Sequence, residues 1–195
     1  MARLIAAITA LVATMVVTRV SLASEGIDRP LAAPSPWMKS CSNDLKASSK
    51  PVCHTGAEVW NKVDGKVLAS VEIIDRQDQG NSTLRVTFPL GVQLDQGTRL
   101  IVDDRVLQRS SFLGCSTEGC VSDYDIGPEI MSSIRAGGKL VVEAVGQSGT
   151  PLTATLPLTG FAEAHDGQPL AEAEIALEKQ RSRRWLDDRR WPVKR

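Results

Sequence analysis

Apolar side chains recur at every second position along much of this chain, in runs too short for helices. Val67, Ala69, Val71 and Ile73 fall on one face of residues 67–75, and Leu84, Val86 and Phe88 alternate with Thr83, Arg85 and Thr87. Leu100 and Val102 precede an Asp103-Asp104 turn, from which Val106 and Leu107 return as the other half of a hairpin. Residues 139–145 and 152–156 repeat the pattern on either side of Gln147-Ser148-Gly149 and Pro151. A period of two places these side chains on one face of a strand. With weaker candidates at 37–41, 52–60 and 120–125, the reading is about seven to nine short strands separated by turn residues, which predicts an all-β sandwich or barrel. We expect a β-sandwich with a jelly-roll-like body.

Two stretches break the period. Pro128 to Ala136 reads as one short helix, with Pro128 at its first position, Ile130 and Ile134 on one face, and Gly137 as its stop. From Ala162 onward Ala, Glu and Arg dominate, and residues 169–190 predict a C-terminal helix. No internal repeat is evident.

The beginning of the chain reads as an export signal. Arg3 supplies the positive start, residues 4–17 are almost entirely apolar, and Ser21-Leu22-Ala23 gives the small residues of a cleavage site. Fourteen residues are short for a membrane span, which needs about 20. The expected division is a signal peptide at 1–23, a Pro-rich linker at 24–36, a β-sandwich body at 37–164 and a basic helical tail at 165–195. No transmembrane span is expected in the mature protein, which is placed in the periplasm or cell envelope, or outside the cell.

Export governs how Cys41, Cys53, Cys115 and Cys120 are read. An even number of cysteines in an oxidising compartment predicts disulfides, and spacing favours Cys41–Cys53 with Cys115–Cys120. Such short loops are worth roughly 2–3 kcal/mol each in the chain-entropy model. A four-thiolate zinc site is the rival, but only the second pair approaches the ligand spacing that zinc requires.

The total charge is zero, 23 basic against 23 acidic residues, which argues against a dedicated nucleic-acid binder. The charge is nevertheless segregated. Residues 179–195 hold eight basic and two acidic residues, a surplus of +6, whereas residues 24–178 hold 13 basic and 21 acidic, or −8. Arg183-Arg184-Trp185 recurs as Arg189-Arg190-Trp191. Arginine beside tryptophan suits an interface that is partly apolar and partly anionic. Arg181, Arg183, Arg184, Trp185, Arg189, Arg190 and Trp191 are therefore the expected interaction tail, facing an anionic envelope lipid or a protein partner.

Catalytic chemistry finds little support. His54 and His165 are the only histidines, and no G-x-S-x-G accompanies them. Ala136-Gly137-Gly138-Lys139 lacks the spacing and the hydroxyl residue of a phosphate loop. Glu118, Asp123, Asp125 and Glu129 lack calcium-loop spacing and read as solvated carboxylates. We expect no catalytic residue, no metal and no cofactor. Were the sandwich a small-molecule or glycan-binding module instead, Trp60 and Tyr124 would be the ligand-facing aromatics.

Several ordered pieces resemble the invasion-associated locus B family of exported bacterial proteins. They are Trp37-Met38-Lys39-Ser40-Cys41 with Cys53, then Phe88-Pro89-Leu90-Gly91-Val92 with Leu94 and Gly97. Cys115-Ser116-Thr117-Glu118-Gly119-Cys120 and Leu158-Thr159-Gly160-Phe161-Ala162-Glu163-Ala164 complete the set. The resemblance implies an all-β envelope protein of the alpha-proteobacterial kind, tied in pathogens to host-cell invasion, and carries over no catalytic residue. The Arg- and Trp-bearing tail departs from the family pattern. Together these readings predict a non-enzymatic exported envelope or host-interaction protein.

Overall fold

The alternating runs become neighbouring antiparallel strands whose apolar faces meet across a shared interior. The computed structural model describes residues 32–42, 51–76 and 80–188, the last four by backbone alone. In chain order the elements are β1 (Ala32–Pro34), β2 (Met38–Ser42), β3 (Val52–Asn61), β4 (Val67–Arg76) and β5 (Ser82–Phe88). There follow β6 (Thr98–Val102), β7 (Arg105–Ser110), β8 (Phe112–Ser116), β9 (Gly119–Ile126) and α1 (Pro128–Ala136). The chain continues with β10 (Lys139–Val145), β11 (Pro151–Pro157), α2 (Phe161–Asp166) and α3 (Glu172–Asp188).

Seven strands form one sheet in the order β1-β3-β4-β5-β9-β8, with β2 also pairing β3; four form the other in the order β11-β10-β6-β7. The inner face of the larger sheet carries Val59, Ala69, Val71, Ile73, Leu84, Val86, Phe88 and Tyr124. It packs on Leu100, Leu140, Val142, Ala154 and Leu156 of the smaller sheet. This is the two-layer arrangement expected of strands that are apolar on one face. The Tyr124 hydroxyl meets Thr98 Oγ1 at 2.5 Å, tying β9 to β6 across the interior. Burial pushes the Tyr124 phenol up to about 12, against the pull of Thr98.

The Asp103-Asp104 turn forms as expected, with both residues at positive φ (47° and 70°), as the tight turns that match strand twist require. The short helix runs from Pro128 to Ala136 with Ile134 fully buried. Both disulfides are the local pairs, Cys41–Cys53 across β2 and β3 and Cys115–Cys120 across β8 and β9, each joining residues directly opposite in register.

Three features differ from the sequence reading. Within the expected linker, Ala32–Pro34 is a strand on the edge of β3, a place where proline costs no ladder hydrogen bond. Val67 does not share the core face of Ala69, Val71 and Ile73. A bulge between Val59 and Trp60 shifts the register and pairs Val67 with Trp60, in a small cluster with Ala33. The C-terminal helix starts at Glu172 rather than at 169. Before it, the Leu170 amide donates to the Lys39 carbonyl (2.8 Å) and keeps the chain out of the helix. Glu174 Oε2 then accepts from the Ala171 amide at 2.8 Å, the glutamate half of a capping box, which helps fix the first turn. The expected signal peptide, linker residues 24–31, and Arg189, Arg190 and Trp191 lie outside the described residues.

Candidate functional site

The outer face of the larger sheet is polar because it is the other half of the same alternation. Register sets Glu72 opposite Arg85, and Arg85 opposite Asp123. Arg85 holds Asp123 through Nε (2.8 Å) and Nη2 (2.7 Å), which raises the guanidinium pKa above its ordinary value. His54 on β3 lies 3.1 Å from Glu72. Beside this row α3 crosses the sheet. Ile175, Glu178, Lys179 and Ser182, spaced i, i+3, i+4 and i+7, are its half-buried positions. Lys179 Nζ donates to Glu58 Oε1 at 2.7 Å. Glu58 is held for that contact by Trp60, whose indole N–H donates to its other oxygen at 3.0 Å.

Sheet and helix enclose a groove of about 200 Å³, with Met38, Ser40, His54, Glu72, Ile175 and Lys179 among its walls. The seat of α3 is shallow. The Lys179 side chain is 41% exposed and that of Glu58 20%. A pair in such a setting contributes about 0.2–1 kcal/mol after solvent screening. Partial burial of one isoleucine adds roughly 1 kcal/mol. The helix therefore rests on the body without forming part of its core.

The opposite face of α3 presents Leu177, 53% exposed, with Arg181 and Arg184, both exposed and close to it in helical projection. Arg183 is exposed as well. Glu172, Glu174 and Glu178 belong to this helix too, so the acidic share of residues 24–171 is 13 basic against 18 acidic, or −5. The sign changes between Glu178 and Lys179, part-way along α3. Trp185 is helical; its side chain, like Arg189, Arg190 and Trp191, lies outside the described detail.

Neither expected ligand-facing aromatic is available to a ligand. Trp60 and Tyr124 are each 1% exposed. Tyr124 belongs to the inner face together with Cys120, Ser122 and Ile126, an alternation present in the sequence that would have located it. Trp60 instead orients Glu58 under α3. The acidic set also separates, because Asp123 is taken by Arg85 and Asp125 accepts from the Asn81 amide (3.3 Å). Among the described residues no group of three His, Cys, Asp or Glu side chains is placed to hold a metal. The amides of Gly138 and Lys139 donate to the Asp103 carboxylate, each at 3.0 Å, so that turn cradles a side chain of its own.

A second polar cluster, invisible in the sequence, anchors α2 at the end of the sandwich. His165 Nε2 lies 3.0 Å from Asp75 Oδ2, and His165 Nδ1 lies 3.2 Å from Asp166 and 3.0 Å from Arg135 Nη2. Arg135 also holds both oxygens of Asp166 (2.6 and 2.7 Å), and Lys39 Nζ donates to the His165 carbonyl (2.7 Å). Ser82 donates to Asp75 rather than to the imidazole, so serine, aspartate and histidine stand in an order that leaves the hydroxyl without a base.

The hydrogen bond to Asp75 raises the His165 pKa above its ordinary value. Burial would raise Asp75, but its bonds from His165 and Ser82 outweigh this and leave it below the usual carboxylate range; Arg135 and then His165 hold Asp166 far below it. A raised folded-state histidine adds stability in full below about pH 6.5 and loses it as pH rises through the folded value. The lowered carboxylates add stability above about pH 4 and lose it as pH falls through their folded values. Thermal melts are therefore expected to peak between these limits, and His165→Gln should flatten the alkaline limb and shrink the acid limb, of which the share that Arg135 gives Asp166 remains. An alkaline limb unchanged in that variant would remove the cluster from the account.

The model of the invasion associated locus B (IalB) protein family matches residues 37–169, which is most of the sandwich and all of α2. The chain belongs to the IalB family. The crystal structure of invasion associated protein b from Bartonella henselae matches at a TM-score of 0.58, with 22% identity over 76% of this chain and 96% of that one. At that identity the likeness is one of fold. No curated protein sequence matches the chain. The IalB match ends three residues before α3.

Proposed function

We propose that this IalB-family chain is a non-enzymatic, exported protein of the periplasm or cell envelope that engages an anionic lipid surface through its C-terminal tail. The observation that carries this reading is the outward face of α3, where Leu177 stands exposed with Arg181 and Arg184 beside it. An apolar residue among arginines is the composition of an interfacial helix. Each arginine brought to an anionic surface contributes about 1 kcal/mol; Arg181 is already paired with Glu178 of the same helix, so Arg183 and Arg184 supply roughly 2 kcal/mol at moderate salt. The two local disulfides suit an oxidising compartment. Among the described residues no helix is long and apolar enough to cross a membrane.

The test is co-sedimentation with vesicles containing anionic lipid. The full chain is expected to pellet at low salt and to be released as ionic strength rises toward about 0.5 M, where exposed charges are strongly screened. A chain lacking residues 179–195 should stay in the supernatant. Equal pelleting of the two would remove the tail from the mechanism.

A binding-module reading retains one observation in its favour, the groove under α3. Its walls of carboxylates, His54 and serine hydroxyls suit a small polar ligand such as a glycan, which would raise the melting temperature.

A further inference from the structure

The charge segregation and the shallow seat of α3 bear on each other. Residues 24–171 carry −5 and residues 179–195 carry +6. An anionic surface therefore attracts the chain from Lys179 onward and repels the body against which α3 lies. The two forces act in opposite directions about the segment between Gly167, which follows α2, and Ala171, which precedes α3. They meet at Lys179, the first basic residue after Glu178 and the one joined to Glu58.

We propose that α3 is a strap that closes over the outer face of β2, β3 and β4 through Lys179 and Glu58, and that an anionic lipid surface opens it. The inference rests on the surface-binding reading above and adds its structural consequence. Three features favour a strap over a fixed helix. The face beneath retains its own pairing when uncovered, since His54 is matched by Glu72 and Arg85 by Asp123. The apolar contribution to the seat is slight, with Ile175 only half-buried. No described residue of α3 belongs to the buried core cluster or packs against it, so the helix is not part of the sandwich interior. Closed, the helix covers Glu58 and walls the groove; open, Glu58 joins Glu72, already 40% exposed, in reaching solvent.

Carboxylate footprinting of the full chain with a neutral diazo reagent, read by mass spectrometry, tests this directly. With vesicles of about 30% phosphatidylglycerol, labelling of Glu58 is expected to rise about threefold, as a side chain 20% exposed becomes free. Labelling of Glu118, already exposed in its turn, should stay constant and serves as the control. Neutral phosphatidylcholine vesicles should change neither. Lys179→Glu should label strongly at Glu58 without lipid, because it sets a carboxylate against Glu58 in place of the latch and lifts the helix from the sheet. Co-sedimentation of the full chain with Glu58 labelling at its lipid-free level would overturn the strap and leave surface binding standing. Failure to co-sediment would overturn both.

Discussion

Replacing Trp37 with alanine is expected to lower the unfolding free energy by about 3–5 kcal/mol, a third or more of what a domain of this size usually has. Trp37 lies in the break between β1 and β2, 7% exposed. Its ring meets Phe161 edge-on, with centroids 5.0 Å apart. Its indole N–H donates to the Pro157 carbonyl at 2.8 Å. One side chain thus joins the edge of the larger sheet to β11 of the smaller one and to α2. Alanine removes the ring and leaves the carbonyl of Pro157 without its donor. Trp37→Phe separates the two contributions, since it keeps an aromatic ring against Phe161 and loses only the N–H, for about 1–2 kcal/mol. Urea denaturation checks both, as a lowered midpoint at unchanged slope. Equal losses in the two variants would mean that the hydrogen bond, not the packing, holds this corner.

That corner also shows what the sequence could and could not reveal. Trp37 was visible as part of a Trp-x-x-x-Cys opening, and local chemistry located its cysteine, because Cys41 and Cys53 face each other across neighbouring strands. Period two located the core, and Asp103-Asp104 located a turn, because both are set by residues close in the chain. Phe161 and Pro157 as partners of Trp37 were not legible, because more than a hundred residues intervene and no local pattern encodes the meeting of two sheet edges. The same holds for Lys179 and Glu58, 121 positions apart, and for His165 and Asp75. Trp60 departs from the sequence expectation for a related reason. A bulge, which no periodicity announces, turned it from the main core, and its indole found Glu58. The candidate site was therefore legible as a charge imbalance but not as a geometry. The sequence located the basic end, and the fold supplied the acidic partner that holds it.

Gly119→Ala is the second substitution expected to have a large effect, costing about 3 kcal/mol or more through backbone strain and a steric clash together. Gly119 opens β9 with φ at +138°, a conformation that side chains rarely adopt. A Cβ there would stand 2.4 Å from the Phe88 carbonyl oxygen and 2.9 Å from the Thr87 methyl. The carbonyl belongs to the ladder between β5 and β9, where Phe88 lies opposite Cys120, so it cannot move aside without breaking that pairing. Nor can the β8–β9 hairpin slide, because Cys115 and Cys120 are bonded across it. The glycine before the second cysteine is thus what lets a stapled hairpin lie flush against β5. Gly114→Ala, in the same hairpin with open space around its added methyl, is the matched control and should change stability by no more than about 0.5 kcal/mol. Equal costs at the two positions would show that any methyl is resisted in this hairpin, and the close approach at Phe88 would no longer explain the glycine. A large loss at Gly119 alone would assign this glycine an architectural task, the close approach of the stapled hairpin to β5.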